Sequence, residues 1–141
     1  MYRVLIIEDE LITANPVKEA LSLESVEADI AQNGTQGLGM FKERDYDLVL
    51  LDLKMPGMSG EEVLAEIRDI DPFIDVIVYT NYSEFADIKK LTNIGIQGYI
   101  NKGPGASLEE LIILIMSKLA PLNEEDLVKL VKATPGNFFK D

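Results

Sequence analysis

Three carboxylates, a hydroxyl and an ammonium stand at matching places along the chain, each at or just beyond the end of a short apolar run. Val4–Ile7 leads into Glu8 and Asp9, Leu48–Leu51 into Asp52, Ile74–Tyr79 into Thr80, and Gly98–Ile100 is soon followed by Lys102. Carboxylates brought close together repel one another unless a cation or protons compensate them. Hard oxygen ligands suit magnesium, which prefers octahedral geometry and keeps several waters. Such an ion would also screen an incoming phosphate, so that Asp52 could attack phosphorus as a carboxylate nucleophile and form an acyl phosphate. Lys102 would then pair with one phosphoryl oxygen, and Thr80 would donate a hydrogen bond to another. Each residue alone has a plainer reading: Asp52 as a turn or cap residue, Glu8-Asp9 as the acidic start of a helix, Thr80 as a β-former, Lys102 as a solvated surface group. What the plainer readings leave unexplained is the joint placement at the ends of four separate runs.

Those residues can meet only if the runs are strands of one sheet. Val4–Ile7 is a continuous apolar stretch of the kind expected for a strand covered on both faces. Val26–Ala31, Leu48–Leu51, Ile74–Tyr79 and Gly98–Ile100 are further strand candidates. Helical patterns lie between and after them, over Leu11–Leu23, Thr35–Glu43, Gly60–Ile70, Glu84–Asn93 and Leu108–Lys118. This alternation predicts an α/β fold, a doubly wound five-stranded parallel sheet with helices on both faces. Ligands of such sheets bind beyond the carboxyl ends of the strands, where the five residues would converge. Asn33-Gly34, Pro56-Gly57 and Gly103-Pro104-Gly105 read as turns; Ser59 and Ser83 read as helix caps, and Ser107 with Glu110 as a capping box. Pro16 falls inside the first helical pattern and implies a late start or a kink there.

The 141 residues suffice for one domain with a substantial core. Residues 1–120 read as that domain. Residues 121–141 read as a tail, an appendage or linker stump, with a short helix over Glu124–Ala133 capped by Asn123. The 25 Asp and Glu against 13 Lys and Arg give a net charge of −12, a field that argues against direct binding of nucleic acid. Without cysteine or histidine, thiolate chemistry, imidazole-bound zinc and Ser-His catalysis are excluded. No stretch approaches the roughly 20 apolar residues of a membrane span, so no membrane role and a cytoplasmic location are expected.

The segments Val-Leu-Ile-Ile-Glu-Asp-Glu, Tyr-Asp-Leu-Val-Leu-Leu-Asp-Leu-Lys-Met-Pro-Gly-Met-Ser-Gly, Val-Ile-Val-Tyr-Thr and Gly-Tyr-Ile-Asn-Lys occur in this order between about residues 2 and 119. In these segments the chain resembles the CheY-like receiver domain of two-component response regulators. The resemblance implies a flavodoxin-like sheet of strand order 2-1-3-4-5 and a phosphoacceptor switch served by a histidine kinase or phosphotransfer protein. It implies no enzyme activity beyond catalysis of the domain's own phosphorylation and dephosphorylation. By the same resemblance Glu8 and Asp9 are the acidic pair, with Asp9 the more direct Mg2+ ligand. Asp52 is phosphoacceptor and ligand, and the backbone carbonyl of Lys54 completes the protein's share. Thr80 is the switch hydroxyl, Tyr99 the switch aromatic and Lys102 the phosphate-pairing lysine. Inward movement of Thr80 and Tyr99 would remodel the face formed by the fourth helix, fifth strand and fifth helix, to be read by a downstream protein, an output domain or a second copy in a phosphorylation-induced homodimer.

The chain departs from the family pattern in places. Asn81 stands where a small residue is usual and is expected to crowd Asp52 and slow phosphoryl transfer. Gly103 rather than proline follows Lys102, so the loop after the fifth strand is expected to run differently. Lys54, Asn81 and Tyr82 are expected to tune the reaction, Lys54 and Tyr82 through the lifetime of the phosphorylated state. A haloacid-dehalogenase-like phosphatase would need a second Asp where Lys54 stands, and no Gly-x-x-x-x-Gly-Lys run supports a nucleotidase. A phosphate-independent pseudo-receiver is the remaining alternative, but such domains usually lose part of the acidic set or the lysine, and here the set is complete.

Overall fold

The computed structural model describes residues 1–81, 85–102 and 107–121. Strands β1 (Arg3–Ile7), β2 (Glu27–Ala31), β3 (Leu48–Leu51), β4 (Asp75–Thr80) and β5 (Gly98–Asn101) alternate with helices α1 (Leu11–Leu23), α2 (Gly34–Glu43), α3 (Gly60–Ile70), α4 (Phe85–Ile94) and α5 (Leu108–Leu119). The strands form one parallel sheet in the order β2-β1-β3-β4-β5, as the resemblance implied. The central strands are apolar because both of their faces are covered: Val4, Leu5, Ile7, Val49, Leu51 and Val78 have no exposed surface. One face packs with α2 and α3 through Leu38, Phe41, Val63, Leu64 and Ile67, and the other with α1 and α5 through Ala14, Val17, Leu21, Leu111 and Ile115. The edge strands β2 and β5 lack this double cover and are only partly buried.

Element ends differ from the sequence expectation for physical reasons. Helix α2 starts at Gly34, not Thr35, because the Asn33 side chain accepts from the Gln36 backbone N–H (2.8 Å) and caps it. Gly34 then lies so near α3 that a Cβ there would stand 2.5 Å from Val63 Cγ2. Pro16 does not delay α1, which runs from Leu11 with Ala14, Val17 and Leu21 buried. Its start has no side-chain cap; the Glu10 carbonyl accepts from Thr13 and Ala14 (both 3.0 Å). Ser59 caps α3 (3.2 Å) and Ser107 caps α5 (3.3 Å). Strand β4 starts one residue late, at Asp75, and takes in Thr80, which pairs with Asn101. The expectations for Ser83, for the Gly103–Gly105 turn and for the tail helix fall outside the described residues.

Candidate functional site

Strand geometry sets the site. β1 ends at Ile7 and β3 at Leu51, which are paired in register, so the residues that follow leave the same edge of the sheet side by side. Glu8, Asp9 and Asp52 meet there, each offering one carboxylate oxygen, all within 4.8 Å of one another. Glu8 and Asp52 are buried and Asp9 is half-buried. From the other side β5 delivers Lys102, whose backbone N–H donates to the Thr80 carbonyl (2.9 Å) and thereby extends the β4–β5 ladder.

The Lys102 ammonium donates to Glu8 Oε1 at 2.7 Å and pairs with Asp52 Oδ2 at 3.4 Å. The Lys102 charge thus faces two carboxylates, with Asp9 beside them. Glu8 Oε2 is buried without a hydrogen-bond partner, which is costly for an ionised oxygen. The Glu8 carboxyl is accordingly pushed up to about 8, by burial first and by its hydrogen bond with Asp52 next, with Lys102 opposing both. The Lys54 backbone N–H approaches Asp52 Oδ1 at 3.4 Å. The donor set fits a small hard cation: oxygen ligands only, surplus negative charge, and an orphaned buried oxygen beside two further carboxylates.

The other expected site residues are distributed around this centre. Thr80, wholly buried, closes β4 beside Lys102. Tyr99 is half-buried in β5, opposite Val78, and packs against the α2–α3 side of the core. Lys54 and Asn81 are exposed, and Tyr82 falls outside the described residues.

Two residues of the site were not singled out from sequence. Gly60 donates its N–H to the Leu53 carbonyl (3.1 Å), and a Cβ there would stand 2.6 Å from both the Asp52 carbonyl oxygen and Leu53 Cα. The N-terminus of α3 can therefore rest on the loop that carries Asp52 only because residue 60 is glycine. Tyr79 lies with its ring centroid 5.2 Å from Lys102 Nζ. The Ser59-Gly60 pair was legible as a helix start, but a close backbone approach leaves no local signal, and neither does an aromatic beneath a lysine 23 residues later.

Residues 4–115 match the model of the response regulator receiver domain. The chain is 36% identical over 100 residues to the chemotaxis protein CheY of Halobacterium salinarum, covering 71% of this chain and 83% of that protein. It is 37% identical over 116 residues to the uncharacterised transcriptional regulatory protein YkoG of Bacillus subtilis, covering 82% of this chain but 50% of the relative. Among solved structures it is similar to the response regulator TrrA of Thermotoga maritima in complex with Mg2+ and BeF, with a TM-score of 0.74, 35% identity, and coverage of 84% of this chain and 99% of that one. Among the described residues no helix is long and apolar enough to cross a membrane.

Proposed function

The chain belongs to the response regulator receiver family of two-component systems, and on that premise we propose that it accepts a phosphoryl group on Asp52, from a histidine kinase or phosphotransfer protein, with Mg2+ as cofactor. The observation that carries this reading is the Lys102 ammonium, held 2.7 Å from Glu8 and 3.4 Å from Asp52 at the edge of a three-carboxylate cluster. Glu8, Asp9, Asp52 and the Lys54 carbonyl would hold the cation. When bound, it neutralises the carboxylates and the entering phosphoryl oxygens.

A carboxylate oxygen of Asp52 attacks phosphorus, the bond from phosphorus to the donor imidazole breaks, and the imidazole leaves with the electron pair. Lys102 exchanges Glu8 for a phosphoryl oxygen, and the buried Thr80 hydroxyl donates to another. Movement of Thr80 frees space for the Tyr99 ring, so that the α4-β5-α5 face changes and a downstream protein, an output domain or a second copy reads it. Residues 1–120 form this unit; the switch works in the cytoplasm, and its chemistry is confined to gaining and losing its own phosphoryl group.

The test is intact mass after incubation with Mg2+ and acetyl phosphate, with Asp52→Asn alongside and a beryllofluoride titration to cover a labile adduct. One added phosphate, absent from Asp52→Asn and absent without Mg2+, is expected. No adduct and no beryllofluoride response would replace this reading with a pseudo-receiver that binds partners without phosphate.

A further inference from the structure

Strand β4 turns alternate side chains to opposite faces of the sheet, so Thr80 and the residue before it serve different neighbourhoods. Tyr79 faces the α1–α5 side and is half-buried, whereas Ile77, Val78 and Thr80 around it are fully buried. It lines a small cavity of about 10 Å³ together with Glu8, Asp52, Thr13 and Val17, so the ring borders the same space as two members of the acidic cluster. Its centroid is 5.2 Å from Lys102 Nζ. The Lys102 side chain is only 10% exposed, and its ammonium is therefore held between two carboxylates and an aromatic face.

We propose that Tyr79 is a positioning residue: its ring keeps the Lys102 ammonium at the mouth of the site while the lysine changes partner from Glu8 to an incoming phosphoryl or fluoride ligand. The inference rests on the phosphoacceptor reading given above. An ammonium leaving a 2.7 Å ion pair has either to find another favourable surface or to go to solvent. A ring face within about 6 Å supplies one without adding a charge or competing for the ligand's oxygens. A leucine of similar reach would keep the apolar wall and lose the quadrupole. The phenolic hydroxyl has no part in this role, so phenylalanine should replace tyrosine fully.

The experiment compares wild type with Tyr79→Phe, Tyr79→Leu and Tyr79→Met, each checked for a dispersed NMR spectrum. In metal-free protein the Lys102 ε-methylene protons should carry an upfield ring-current shift, retained in Tyr79→Phe and lost in the aliphatic variants. With Mg2+, the aliphatic variants should bind beryllofluoride about tenfold more weakly, and Tyr79→Phe as wild type does. Absence of the ring-current shift in wild type, wild-type affinity in a folded aliphatic variant, or equal losses in Tyr79→Phe and Tyr79→Leu would each overturn the proposal. Wild-type protein that binds no beryllofluoride would overturn the phosphoacceptor reading instead, and the ring-current shift alone would then decide whether Tyr79 holds Lys102.

Discussion

At Glu8 charge and burial oppose each other. Its ordinary carboxyl value is 4.5, and in the fold it is raised to about 8, by burial first and by the hydrogen bond with Asp52 next. Between those values the native protein binds a proton that the unfolded chain has lost, so folding stability falls as pH rises. The contribution is fully present below pH 4.5 and gone once pH passes about 8. Urea midpoints measured in EDTA across this range should therefore decline less steeply in Glu8→Gln than in wild type. Parallel slopes would show that Glu8 is not the group responsible. Asn81 is exposed beyond the end of β4, one residue after Thr80. If its amide crowds the approach to Asp52, Asn81→Ala should be phosphorylated faster by acetyl phosphate, and an unchanged rate would dismiss the crowding.

At the scale of elements, Arg68 does what no single helix or strand can do. From α3 its guanidinium donates to the carbonyls of Gly95 (3.0 Å) and Ile74 (2.7 Å) and to the Gln97 side-chain oxygen (2.8 Å). The same Gln97 oxygen accepts from the Val76 backbone N–H (2.7 Å), so one network ties α3 to the starts of β4 and β5. Gly95 ends α4 with φ +122°, a conformation that brings its carbonyl to Arg68 and that side chains rarely adopt. Removing the guanidinium leaves these carbonyls unpaired, and Arg68→Ala should lose about 2–3 kcal/mol in urea unfolding. Because the network lies at the opposite end of β4 from Thr80, acetyl phosphate should still modify the folded fraction at the wild-type rate. A loss of phosphorylation rate without a loss of stability would contradict this division.

Across the whole molecule, a net charge of −12 disfavours the compact state through self-repulsion, and the acidic cluster concentrates part of that charge. A cation bound only by the native site should stabilise folding by mass action, about 2.7 kcal/mol at one hundred times its Kd. Thermal unfolding should therefore shift upward with millimolar Mg2+ in wild type and much less in Asp9→Asn, with NaCl at matched ionic strength as control. Equal shifts in both proteins would reduce the effect to general screening.

Much of this was legible in the sequence because it is written in local patterns. Continuous apolar runs such as Val4–Ile7 and Leu48–Leu51 fit only strands covered on both faces, and their alternation with amphipathic stretches left a parallel α/β sheet. The residues at the run ends, Glu8, Asp9, Asp52, Thr80 and Lys102, followed by position alone. The tertiary structure decided what depends on distance between remote segments. It set the choice of Lys102 for Glu8 at 2.7 Å, the orphaned Glu8 Oε2, the backbone-to-backbone fit at Gly60, and the ring of Tyr79 under an ammonium. Periodicity assigns a side chain to a face, but burial, ion pairing and ring contacts arise only where strands distant in sequence end side by side.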